Sequence, residues 1–242
     1  MASKYKITAN QLKVIAIVAM TIDHIAWMWV PATSPAGQIM HTIGRITAPI
    51  MCYLLAEGYI HTHNVRKYTL RLGITAVISA FAFCFFATGK ILPAKGQPNL
   101  GMIYTLFLAL LALRTYDSER ITGWKKRAVM VVLFAASLLG DWAGIGVIWP
   151  LMFYILRFDR KMQFKLYGYT AVAFAALINI EAAYKDPAHP YASFFQFGTM
   201  LALPLLNCYQ GELGGKRSGK WFFYAFYPLH LVIIRLIAMC MR

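Results

Sequence analysis

Residues 12–30 read LKVIAIVAMTIDHIAWMWV. The run is close to the roughly 20 apolar residues that a helix needs to cross a bilayer. It nevertheless carries Lys13, Asp23 and His24. Ionisable groups inside a span are costly, so they require partners or a function. The rest of the chain repeats the apolar pattern. Further runs mark spans near 43–61, 70–88, 100–114, 127–140, 143–157, 165–183, 191–207 and 221–240. Turn residues fall between them: Pro31 and Pro35 after the first span, Pro93 and Pro98 in the third loop, Pro187 and Pro190 in the seventh. Only Gly140, Asp141 and Trp142 separate the fifth run from the sixth, which leaves a re-entrant pair as the alternative there. The sequence predicts an all-α polytopic membrane helix bundle of about nine spans, one integral-membrane domain over residues 1–242.

Composition points the same way. Of the 242 residues, 60% are hydrophobic and 14% charged, with mean hydropathy +0.56. A soluble chain carries about 25% charged residues, so lipid must cover much of this surface. The net charge of +15 does not indicate nucleic-acid binding, because the basic residues sit in short loops between apolar runs. Eighteen of the 24 fall in the N-terminal segment and in alternate loops. The positive-inside rule places those segments, and the N-terminus, in the cytoplasm. An odd span count then leaves the C-terminus outside, in a multi-pass cytoplasmic-membrane protein. Cys52, Cys84, Cys208 and Cys240 lie in or beside apolar runs without CxxC spacing, and read as small buried hydrophobes. No small-residue cleavage pattern follows the first apolar run, so it is expected to remain as a span.

Depth along the helices groups the buried ionisable residues. Lys13 and His24 are 11 residues apart, close to three whole turns, and share one face about 16 Å apart. The second span runs the other way, with Arg45 near its outer end and Glu57 near its inner end. Depth matching pairs Lys13 with Glu57, and Asp23 and His24 with Arg45. Neighbours on a helix point in different directions, so Asp23 is expected to meet Arg45 rather than His24. His230 lies about 13 Å into the last span, after the aromatic run ending at Tyr227 and Pro228. His61 and His63 alone are a weak metal signal, and no metal site is expected. No glycine-rich phosphate loop is present.

The segment Leu12–His24, then Ile43–Pro49 (IGRITAP) and Glu57-Gly58, resembles the opening of the TraX family of membrane acetyltransferases. The similarity continues through YTLRL at 68–72, Asn99, Thr105-Leu106, Asp141-Trp142, Asn207 and FFYAFYPLHL at 222–231. TraX proteins are in turn similar to the acyltransferase-3 type of transmembrane acyltransferases, in which a basic residue precedes a histidine with ten residues between. Lys13 and His24 repeat that spacing. Arginine is common at the basic position, and lysine keeps its charge without the bidentate fork.

The resemblance implies an acetyl-CoA-dependent acetyltransferase. His24 is the expected general base, with an ordinary imidazole titration range near working pH. Asp23, Arg45 and His230 are expected to assist. Lys13, Arg66, Lys67, Arg71, Lys216, Arg217 and Lys220 are candidate donors to the CoA phosphates. Glu57, Asn99, Asp141, Asn207 and Tyr227 are expected to line the site. The acceptor is left open among a protein N-terminus, an amino sugar, a glycan and a lipid. Two other classes stay open on the residues alone: a small proton-coupled transporter, in which the same buried ions form a path, and a non-enzymatic assembly factor.

Overall fold

The computed structural model describes residues 6–92, 100–214 and 220–241. Ten α-helices account for nearly all of the regular structure there: α1 Ala9–Trp29, α2 Pro35–Gly44, α3 Thr47–Ile60, α4 Val65–Thr88, α5 Gly101–Asp117, α6 Gly123–Ser137, α7 Ile145–Ile155, α8 Arg160–Lys185, α9 Ala202–Cys208 and α10 Lys220–Cys240. A 3-10 helix, Phe194–Leu201, runs directly into α9. No strand occurs among the described residues, and Ile7 and Tyr209 form one isolated bridge.

Local chemistry starts the helices where they start. Thr8 and Gln11 close a reciprocal capping box on α1. Ser34 caps α2 and Pro35 fills its first turn, where a missing N–H costs nothing. Asn64 and Asp159 cap α4 and α8 through their side chains.

Every apolar run of the sequence overlaps a helix. Five segments are long and apolar enough to cross a membrane by themselves: α1, Pro35–Ile60, α4, α8 and Phe222–Cys240. Two shorter apolar segments are Ile145–Ile155 and Phe194–Cys208. The second span therefore begins earlier than the hydropathy run, at Pro35, and its helix is interrupted between Gly44 and Thr47. Large apolar side chains point outward at helical spacing, as lipid requires. On α4 these are Leu70, Ile74, Val77, Ile78 and Phe81, and on α10 Leu229, Ile233, Leu236 and Ile237.

The chain forms two compact units, each built from both parts of the sequence. The first takes α1, α2, α3 as far as Met51, α8, the 3-10 helix and α9. In it α2 packs between α1 and the 3-10 helix, and α8 packs on the 3-10 helix and α9. The second unit takes α3 from Cys52, α4 to α7 and α10. Its centre is α5, whose Leu106, Ala109, Leu110, Ala112 and Leu113 are buried. A helix apolar on all sides must be enclosed, and α4, α6 and α7 pack around it.

Candidate functional site

Asp23 lies two turns from the end of α1 and is almost fully buried. Two residues of the following segment reach it. His41 Nδ1 lies 2.8 Å from Asp23 Oδ1, and Arg45 Nη2 donates to Asp23 Oδ2 at 2.5 Å. His41 and Arg45 are four residues apart, so one helical face presents both. The pairing of Asp23 with Arg45 that depth matching anticipates is present. His41 was not anticipated at all.

Close helix approach makes this contact. A Cβ on Gly44 would fall 2.3 Å from Asp23 Cβ. On the other side of α2, a Cβ on Gly198 would fall 2.3 Å from the Thr42 carbonyl oxygen. Aromatic rings enclose the cluster. The Trp27 ring lies 4.6 Å from the His41 ring, centroid to centroid, and Phe195 lies 4.9 Å from it. The Arg45 guanidinium carbon sits 5.3 Å from the centre of the Phe195 ring, within cation–π range. With so little water to screen it, each charge depends on its partner. Removing one member of such a buried pair costs about 3–5 kcal/mol.

His24 is buried on the same helix. The continuous run of α1 from Ala9 to Trp29 keeps Lys13 on the His24 face, three turns and about 16 Å towards the N-terminus. Lys13 is half-buried. A loop ties down the start of α1: Ala9 N–H donates to the Glu212 carbonyl and Asn10 N–H to that of Leu213. Arg160 Nη2 donates to the carbonyls of Leu206 and Asn207 at 3.0 Å each, and also to that of Tyr209. The Asn207 side chain itself is exposed.

The remaining candidates belong to the second unit. Glu57 Oε2 lies 3.6 Å from His61 Nε2, one turn along α3. Arg66 and Lys67 are exposed in the first turn of α4, and the Arg71 guanidinium carbon lies 6.0 Å from the Tyr68 ring centre. Asp141 occupies the turn between α6 and α7, where Trp142 adopts φ 59° and Gly144 φ 67°. Asp141 Oδ1 accepts the Trp142 N–H at 3.2 Å, and its carbonyl accepts the Thr105 hydroxyl at 2.6 Å. Tyr227 Oη accepts the Met102 N–H at 3.3 Å. His230 Nδ1 lies 2.9 Å from the Phe226 carbonyl, and its ring stacks on Phe226. Among the described residues, no three of His, Cys, Asp or Glu gather as metal ligands. Asn99, Lys216 and Arg217 lie outside the described residues, and Lys220 opens α10.

The helices and their outward apolar faces define a polytopic α-helical membrane protein with a buried acid–base–guanidinium cluster on its first two spans. A family model described as TraX protein matches residues 8–238, and the chain belongs to the TraX family. It is 32% identical over 238 residues, 97% of both chains, to "Probable fimbrial assembly protein FimC, serogroup H1" of Dichelobacter nodosus. It is 26% identical over 162 residues to "Uncharacterized protein RP591" of Rickettsia prowazekii (strain Madrid E), covering 66% of this chain and 60% of that one. No solved structure matches the chain.

Proposed function

We propose that this chain is an inner-membrane acetyltransferase that moves an acetyl group from cytoplasmic acetyl-CoA to an amine or hydroxyl acceptor. In this reading it is one domain of about nine spans with a cytoplasmic N-terminus, and the shorter helices cross or enter the bilayer beside the five long ones. The observation that carries the reading is the burial of His24 beside Asp23, a carboxylate held at both oxygens, with Lys13 on the His24 face. Membership of the TraX family supports it, as does the acyltransferase-3 spacing of Lys13 and His24.

The chemistry follows from those residues. Lys13 and basic residues of the cytoplasmic loops, among them Arg66, Lys67, Arg71, Lys216 and Arg217, attract the CoA phosphates. The acyl arm extends along α1 towards His24. His24 takes a proton from the acceptor as its nitrogen or oxygen attacks the acetyl carbonyl. The new C–N or C–O bond forms, the C–S bond breaks, and the thiolate leaves as CoA thiol with that proton. Arg45 balances the Asp23 charge and is the candidate donor to the developing oxyanion. The name of the Dichelobacter relative favours an acceptor handled during fimbrial assembly. The same name favours the second reading, a non-enzymatic assembly factor.

Purified protein in detergent, given acetyl-CoA and followed by free-thiol release, separates the two. The acetyltransferase reading expects turnover that disappears in His24→Ala, and weaker acetyl-CoA binding in Lys13→Ala. A well-folded sample that neither binds nor turns over acetyl-CoA sinks it.

A further inference from the structure

His41 is fully enclosed in the first unit, with 0% of its surface exposed. Its Nδ1 faces Asp23, whose charge Arg45 already balances. In the neutral ring, Nδ1 donates to the Asp23 carboxylate, which can only accept, and Nε2 carries a lone pair. That Nε2 is buried and has no hydrogen-bond partner among the described residues. An orphaned buried acceptor is costly, and a ligand donor would recover that cost.

Trp27 packs over the His41 ring, yet 54% of Trp27 is itself exposed. Trp27 is therefore the side chain whose movement would open a path to the imidazole. The walls are then Trp27 and Phe195, both aromatic. The Arg45 guanidinium on the Phe195 ring disfavours a second cation there.

We propose that His41 Nε2 is a binding point for a neutral hydroxyl or uncharged amine on an apolar carrier, admitted by displacement of Trp27. Resting on the acetyl-transfer reading, this ligand is the acceptor substrate: an amine held at His41 by one N–H keeps another for His24 to take as base, and a hydroxyl turns its one proton from His41 to His24 before it attacks. An ammonium group is excluded until it has lost its proton.

The test uses the full-length protein in detergent and diethyl pyrocarbonate, which acylates an imidazole only at a nitrogen with a free lone pair. Modification is mapped by peptide mass spectrometry. In wild type, His41 is expected to react more slowly than exposed His63, and several-fold faster in Trp27→Ala. The probe 1-hexanol is expected to protect His41, and hexyltrimethylammonium is not. If His41 stays unmodified in both proteins while His63 reacts, the imidazole is a sealed brace and the proposal is overturned. Modification that hexanol does not slow, or that the cation slows equally, also overturns it. Wild type alone decides should Trp27→Ala fail to fold. Acetyl-CoA turnover is scored separately on the same samples. Protection in a sample that neither binds nor turns over acetyl-CoA would refute acetyl transfer and leave the subsite standing.

Discussion

Gly44 sits against Asp23 so closely that any side chain there would overlap it: a built Cβ falls 2.3 Å from the Asp23 Cβ and 2.5 Å from its carboxyl carbon. This approach lets His41 and Arg45, on either side of Gly44 in sequence, grip one carboxylate. Gly44→Ala must push α1 and α2 apart. Overpacking of this kind costs about 1–3 kcal/mol, read as a lower Tm in detergent. Gly168→Ala on α8 is the control, since its nearest contact is an ordinary 3.7 Å. It is expected to leave Tm unchanged or raise it, by the helix preference for alanine of about 1 kcal/mol.

The Asp23–Arg45 pair supports a double-mutant cycle. Arg45→Gln leaves a buried carboxylate without its cation and is expected to destabilise by about 3–5 kcal/mol. Adding Asp23→Asn removes the stranded charge, so the double variant is expected to be more stable than Arg45→Gln alone. Equal or lower stability of the double variant would show that the pair does not act through charge.

Arg160 should matter locally. Its Nη2 gathers the carbonyls at the end of α9. Charge-assisted hydrogen bonds are worth about 1.5–3 kcal/mol. Arg160→Met is therefore expected to speed amide exchange in residues 206–213, with little change in α4 or α5. Uniformly faster exchange would contradict a local role.

The outward face of α4 tests the membrane reading residue by residue. Val77 is 61% exposed in the middle of that helix. A spin label at Val77→Cys, in liposomes, is expected to collide with lipid-soluble oxygen and escape a water-soluble nickel chelate. The opposite pattern would place this face in water.

Much of this was legible from hydrophobic runs, because a membrane span advertises itself by length and composition. Arg45 and Asp23 were legible by depth alone, since antiparallel neighbours bring equal depths together. His41 was missed for a definable reason. The hydropathy run of the second span begins at Ile43, which consigned residues 35–42 to a loop. Ser34-Pro35 is a helix-start signal, and His41 stands one turn before Arg45. Extending the helix back to Pro35 would have put both residues on one face. The pairing of Lys13 with Glu57 rested on depth too. Depth carries no information on helix rotation, so it ranks partners without choosing among them. The 3-10 form of residues 194–201 left no mark in the apolar pattern, because a change of helical pitch does not alter hydropathy.

The most direct measurement is thiol release from acetyl-CoA by sealed membrane vesicles of both orientations, carrying wild type or His24→Ala. Acetyl-CoA does not cross the bilayer, so only the face that binds it responds. The account predicts release from inverted wild-type vesicles, with the cytoplasmic side outward, and none from right-side-out vesicles or from His24→Ala. Equal release by wild type and His24→Ala, or release confined to right-side-out vesicles, would contradict it.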